Sequence, residues 1–347
     1  MPFNMKALQN LISRPYYIKL FAVIIICFLG IIIYSNTFNS PFHFDDELYI
    51  VDNTAIRDIK NLQDIWNFWP PRFIASLSFG INYHFHQLDV FGYHVVNISI
   101  HIISSILVFF LILLTFSTPR MKDEDISKHS NLIAFLCALV FLAHPIQTQA
   151  VTYIVQRATS LAVLFYLAAL IFYIKSRLLE KEPLYGNRYY SFSLIMTVIA
   201  MFTKEMTITL PLMVLLYEYY FFKTKNRIKL IRLMPFFISL LIVPVTLFIC
   251  KLVNIHEMRA ITESITPISP TNYLFTQFRV MVTYIRLLLL PIHQNLDYDY
   301  AISTTLMHLP TLISLSLLVI ILIAAIKMSA KYKLISFAIF WFFLSLL

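Results

Sequence analysis

Apolar runs long enough to cross a bilayer recur along this chain, and they restrict its fold more than any other feature. The hydrocarbon layer is about 30 Å thick, which a helix of about 20 apolar residues spans. Such runs predict helices near 17–35, 92–116, 132–145, 158–175, 190–203, 208–222, 233–251, 309–326 and 334–347. Of the 347 residues, 59% are hydrophobic and 13% charged. Soluble domains carry about twice that share of charge. The fold class is therefore an all-α polytopic membrane protein. The first run is too long for a signal peptide and lacks a small-residue cleavage site, so it reads as an anchor.

Lys and Arg set the orientation. With the N-terminus in the cytoplasm and the helices alternating, the inner segments hold Lys6, Arg14 and Lys19; Arg120, Lys122 and Lys128; Lys175, Arg177, Lys181 and Arg188; Lys223, Lys225, Arg227, Lys229 and Arg232; and Lys327, Lys331 and Lys333. These are 18 of the 27 basic residues. Such a bias marks the cytoplasmic side. Asp45, Asp46, Glu47, Asp52, Asp58, Asp64, Asp89, Glu205, Glu257, Glu263, Asp297 and Asp299 all fall on the other side. The net charge of +9 thus reflects basic inner loops. It is not a nucleic-acid signal.

Residues 272–290 break the alternation. A span there would carry Lys327, Lys331 and Lys333 outside, and would turn a 291–308 loop without Lys or Arg to the cytoplasm. The segment reads instead as an amphipathic helix in the outer interface, or dipping back into it. Arg279 and Arg286, seven apart, share one of its faces. Cys27, Cys137 and Cys250 lie in or beside predicted membrane helices, with no disulfide or metal spacing. No repeat or low-complexity linker divides the chain, so 1–347 reads as one membrane domain. It stops inside the apolar run 340–347, as a fragment would.

The chemistry-bearing residues gather at the predicted outer boundary. Asp45 and Asp46 follow the first helix in Phe42-His43-Phe44-Asp45-Asp46-Glu47. Paired carboxylates suit a base that takes a proton from a hydroxyl, or a hold on Mg²⁺ or Mn²⁺. They also suit a solvated loop or a helix cap. His94, Asn97 and His101, spaced three and four apart, form one stripe. That stripe must face protein or water. It either lines a site or ties helices together. After His144-Pro145, the chain re-enters the membrane through Gln149, Gln156 and Arg157. Arg157 at that depth calls for an anion, either a bound phosphate or a carboxylate of the protein. Lys204-Glu205 joins the next two helices, as a structural ion pair or as part of a site. Asp45 and Asp46 thus form an acidic group, and Arg157, Lys204, Arg279 and Arg286 a basic one. A lipid phosphate carrying a sugar needs both: a base for the incoming hydroxyl and cations for the leaving phosphate.

These residues resemble the multispanning GT-C glycosyltransferases that use polyprenyl-phosphate sugars. The likeness is greatest to the membrane domain of the transmembrane and tetratricopeptide-repeat O-mannosyltransferases and their bacterial relatives. It rests on Phe44-Asp45-Asp46, on Tyr93-His94-Val95-Val96-Asn97 with His101, on His144-Pro145 through Gln156-Arg157, on Lys204-Glu205 with Pro211, and on Asn295-Leu296-Asp297-Tyr298-Asp299-Tyr300. The resemblance implies a GT-C helical bundle with a large first outer loop and Asp45 as the acid–base residue. Arg157, Arg279, Arg286 and Lys204 would bind the donor phosphate. His94, Asn97, His101, His144, Gln156 and Glu205 would line the site. It also implies further helices and C-terminal tetratricopeptide repeats. The expected activity is inverting transfer of a sugar, mannose in that family, to a protein Ser/Thr or a glycan on the periplasmic, extracellular or lumenal face.

The competing reading is a transporter or flippase of a lipid-linked or anionic substrate. Transporters favour Gly- and Pro-broken helices around a mid-membrane site. Here only Gly30 of four glycines lies well within a predicted span, and the ionisable residues sit at the outer boundary. Metal dependence stays open, since transfer from a lipid phosphate requires only a base.

Overall fold

The computed structural model describes residues 15–222, 231–253 and 268–346. Within them the regular structure is helical: α1 Pro15–Tyr34, α2 Leu62–Phe68, α3 Phe73–His86, α4 Val90–Phe116, α5 Ser130–Ala143, α6 Gln147–Thr152, α7 Arg157–Leu178, α8 Pro183–Met201, α9 Leu210–Phe221, α10 Met234–Ser239, α11 Ile242–Val253, α12 Pro270–Leu289, α13 Leu309–Met328 and α14 Lys333–Ser345. Among the described residues, five stretches are long and apolar enough to cross a membrane: Tyr17–Thr37, Val90–Phe116, Asp125–Ala143, Ile154–Leu178 and Leu309–Met328. The chain is an all-α polytopic membrane protein, as its composition requires.

Most expected helices stand within a few residues of their predicted bounds. The 233–251 run differs, because it divides into α10 and α11. Pro244 lacks an N–H, and its ring clashes with the carbonyl four residues back, at Leu240. The joint shows it: Leu240 N and Leu241 N bond three residues back, to Phe237 O (3.2 Å) and Ile238 O (3.0 Å), before Val245 N resumes four-residue spacing to Leu241 O at 3.0 Å. Lys6, Arg14, Lys223, Lys225, Arg227, Lys229, Glu257 and Glu263 lie outside the described residues.

The connections segregate to two ends of the bundle, as the alternation requires. At one end Arg120 N bonds Phe221 O at 3.3 Å, Lys333 Nζ bonds Glu124 Oε1 at 3.1 Å, and Arg177 pairs with Glu180 and Glu218. At the other, Ile74 N bonds Phe202 O at 3.0 Å, Val155 N bonds Asp46, and His144 Nε2 meets Leu288 O at 3.2 Å. α12 is not among the membrane-length apolar helices. The 291–303 segment runs back along it: Arg286 Nη1 reaches Ile292 O (2.9 Å), Arg279 Nη1 reaches Ala301 O (3.0 Å), and Ser303 N donates to Thr276 Oγ1 (3.0 Å).

The first loop is folded. α2, α3 and a π-helical turn at Glu47–Val51 occupy it. α3 escapes a hydropathy reading because Asn82, His84 and His86 interrupt its apolar residues. Asn61 accepts from Asp64 N (3.3 Å), capping α2, and Asp89 accepts from Phe91 N (3.1 Å), capping α4. Both are preferred N-cap types. Ile50, Ile56, Phe79, Tyr93 and Ile154 pack into a buried cluster joining this loop to α3, α4 and the start of α7.

Candidate active site

A cleft lies over that cluster, lined by Asp45, Tyr49, Trp69, Arg72, Phe79, Gln156 and Lys204 among others, with a volume of about 90 Å³. It brings one carboxylate of the acidic pair together with two cations.

The acidic pair divides its roles. Asp46 is fully buried. Its Oδ1 accepts from Val155 N at 2.7 Å and its Oδ2 from His43 N at 3.2 Å. Burial raises its carboxyl above the usual Asp range, more than those two amide bonds and nearby His43 lower it. Asp45 is exposed and lines the cleft. Its backbone N–H donates to Tyr153 Oη at 2.9 Å. Burial first, and then the charges of Asp45 and Asp46, push the Tyr153 phenol up to about 12, so it stays neutral at physiological pH. Before this pair stands Phe44, with φ of 51°, left-handed backbone that a non-glycine residue adopts only at a cost of about 1–3 kcal/mol. Asp46 on one side and Tyr153 on the other hold the turn in that shape, which presents the Asp45 carboxylate to the cleft.

Arg72 and Lys204 supply the positive charge. Arg72 Nε lies 3.1 Å from both Glu205 oxygens, and its guanidinium stacks on Trp69, 4.9 Å from the ring centroid. Trp69 Nε1 donates to the same Glu205 at 3.2 Å. Glu205 therefore holds Arg72 rather than its neighbour Lys204. Lys204 Nζ donates to Thr159 Oγ1 (2.5 Å), whose hydroxyl donates to Gln156 Oε1 (2.7 Å). Burial, then repulsion from Arg72, pushes the Lys204 ammonium down to about 8. A partly desolvated cation of this kind gains from a bound anion.

Arg157 lies apart from the cleft. It is fully buried and absent from the cleft lining. Its Nε donates to Asn97 Oδ1 at 2.6 Å, and its Nη2 to Asn82 Oδ1 (2.7 Å) and Tyr93 O (3.0 Å). Nη1 lies 3.3 Å from Ser78 O, and the guanidinium sits 4.6 Å from the Phe79 ring centroid. Neutral acceptors and aromatic faces meet the charge that the sequence assigned to a phosphate. Arg157 pins α3, α4 and α7 beneath the cleft.

The α4 stripe is likewise structural. His94 Nε2 is 2.9 Å from Ser40 O. Asn97 Nδ2 donates to Val151 O (3.3 Å) and Ile154 O (3.2 Å). Pro145 has no N–H and closes α5, leaving carbonyls of its last turn unbonded within the helix. Leu142 O is one, and it receives Tyr34 Oη at 3.0 Å and His101 Nε2 at 3.0 Å. His144 Nδ1 accepts from Ile146 N at 3.2 Å. None of His94, Asn97, His101 and His144 lines the cleft, and neither do Arg279 and Arg286. Of the expected residues, Asp45, Lys204 and Gln156 meet there, with Glu205 behind. Arg72 was missed. Its sequence signal was weak: an Arg inside Trp69-Pro70-Pro71-Arg72, in a loop whose helices hydropathy did not show.

The donor set fits a divalent cation poorly. Among the described residues no group of three or more His, Cys, Asp or Glu converges, and both Asp46 oxygens are engaged by backbone amides.

Comparison with known proteins agrees with the resemblance. The chain is 33% identical over 168 residues to Protein O-mannosyl-transferase F38B6.6 of Caenorhabditis elegans, covering 45% of this chain and 23% of that protein. It is 30% identical over 224 residues to Protein O-mannosyl-transferase TMTC4 of Homo sapiens, covering 58% and 29%. It is also 32% identical over 172 residues to Protein O-mannosyl-transferase Tmtc3 of Drosophila melanogaster, covering 44% and 19%. Its relatives are named protein O-mannosyl-transferases. The matched segments span under a third of those proteins' lengths. No family model matches the chain, and no solved structure does.

Proposed function

We propose that this chain is the membrane domain of a glycosyltransferase that moves a sugar, mannose by its relatives' names, from a polyprenyl-phosphate donor to a protein Ser or Thr hydroxyl. One observation carries the reading: an exposed carboxylate, Asp45, shares a cleft with two cations, Lys204 and Arg72.

The atoms balance as follows. The acceptor oxygen attacks the anomeric carbon while its proton passes to Asp45. The bond from that carbon to the phosphate oxygen breaks, and the electron pair leaves with the phosphate. Attack opposite the leaving group inverts the anomeric centre. Lys204 and Arg72 meet the charge growing on the phosphate. One such group aimed at developing charge contributes about 2.7–4 kcal/mol to the transition state. Glu205 and Trp69 fix Arg72, and Thr159 and Gln156 fix Lys204, so the cations need little reorganisation as charge develops. The basic-loop bias supports a cleft on the side away from the cytoplasm.

The test is turnover by purified protein of a polyprenyl-phosphate mannose, in vesicles and with a Ser/Thr peptide. The expected product is a peptide glycoside of inverted configuration, with Asp45→Asn nearly inactive. Movement of intact donor between leaflets with no sugar transfer would overturn the reading in favour of a flippase.

A further inference from the structure

A second cavity lies beside the cleft, between α6, α12 and the 294–300 segment, with a volume of about 470 Å³. Three tyrosines line it, Tyr284, Tyr298 and Tyr300, along with the amide side chains of Gln149, Gln294 and Asn295. Among the described residues no Lys or Arg lines it, and the one charged lining residue is Asp297. We propose that this groove docks the acceptor as an extended polypeptide and presents its Ser or Thr hydroxyl to Asp45. The proposal rests on the reading of the cleft as a transferase site.

Volume, position, shape and chemistry all favour a polypeptide in this groove. The first is volume. Small-molecule pockets run to about 300–1,000 Å³. The cleft's 90 Å³ cannot hold a donor headgroup and a polypeptide together, so the acceptor has to be gripped outside it. The second is position. Thr148, Gln149 and Thr152 face the groove, while Val155 and Gln156 face the cleft. From Thr152 to Val155 the chain spans at most about 11 Å, so one short stretch walls both. Tyr153, inside it, bonds Asp45 N.

The third is shape. On α12 the lining residues are Val280, Thr283, Tyr284 and Leu287, a single stripe about 10 Å long at 1.5 Å per residue. That matches about three residues of extended chain. The fourth is chemistry. A lone carboxylate repels the donor phosphate and admits neutral or basic segments. Tyrosines with amides are the side chains of polypeptide-recognising surfaces: rigid amphipathic area beside adaptable hydrogen bonding. Gln149 Nε2 donates to Leu296 O at 3.0 Å, tying the far wall to α6.

The experiment measures binding apart from transfer. Full-length chain in nanodiscs is panned against a library of 12-residue Ser/Thr peptides, and selected peptides are titrated by fluorescence anisotropy without donor. Tyr298→Ala and Tyr300→Ala should each weaken binding at least about fivefold, and glutamates flanking the Ser/Thr should weaken it further. The proposal is overturned if no peptide is selected, if folded Tyr298→Ala binds as tightly as the parent, or if a free oligosaccharide binds the groove and displaces peptide. Because binding is read without donor, a parent chain that binds peptide yet transfers no sugar would count against the cleft alone.

Discussion

Asp45→Asn and Asp46→Asn are the same chemical change at neighbouring residues, and the structure gives them opposite consequences. Asp46 accepts two backbone N–H bonds, at 2.7 and 3.2 Å, with no exposed surface. A hydrogen bond to a charged group contributes about 1.5–3 kcal/mol. An amide keeps one acceptor oxygen and turns an NH₂ toward the other donor. Part of that loss is offset because the neutral amide is easier to bury. Asp46→Asn should therefore destabilise the protein by about 1–3 kcal/mol and loosen the Phe44 turn. Asp45 lies exposed in the cleft, so Asp45→Asn should leave the melting temperature nearly unchanged. Removing a general base costs at least about 100-fold in rate, near 2.7 kcal/mol of barrier. The assay is a thermal melt in nanodiscs beside turnover per folded molecule. Asp46→Asn that melts normally but does not turn over, beside an active Asp45→Asn, would refute the division of roles.

Lys204 should put a limb in the pH profile. Its ammonium is lowered from 10.5 to about 8, so the charged form that pairs with phosphate is full below that pH and lost above it. kcat/KM for the donor should fall as pH rises through about 8, and Lys204→Arg should carry the limb upward out of range; an unshifted limb would assign it elsewhere. At the opposite end of the bundle, buried Glu218 accepts from Tyr173 Oη at 2.6 Å and pairs with buried Arg177. Glu218→Leu should cost about 3–5 kcal/mol of stability without changing turnover per folded molecule, read by the same melt and assay. For topology, a single cysteine at exposed Gln294 should react with an impermeant maleimide from outside the cell, and one at exposed Ala330 only after permeabilisation. The reverse pattern would invert the chain.

Hydropathy and charge carried much of the fold because a bilayer leaves a long apolar run one regular structure. Most of the long apolar helices were read to within a few residues. What hydropathy passed over is the first loop, where α2 and α3 are short, polar in part, and buried by protein instead of lipid. Ile56 and Phe79 pack there under Tyr93 and Ile154, contacts between segments far apart in sequence that no local window reveals. The break between α10 and α11 was legible in principle, since Pro244 sits in the middle of the apolar run.

The two arginines explain why the site was only half legible. An Arg beside a membrane helix demands a partner, and sequence cannot say whether that partner is substrate or protein. Arg157 follows a polar re-entry segment, which favours an anion. Yet Asn97 and Asn82, both polar residues on apolar helices, were its partners. His94 and His101 in the same stripe as Asn97 hold the Ser40 and Leu142 carbonyls instead. Asn97 and Asn82 engage the Arg157 donors, and the charge of Asp46 acts on the same buried guanidinium. Arg72 is the converse. Its ion-pair partner, Glu205, is itself about a third exposed, and Trp69 supports both. Arg72, about a third exposed and lining the cleft, stays within reach of a phosphate bound there. Burial thus separates the arginine that builds the floor of the cleft from the one proposed to act in it.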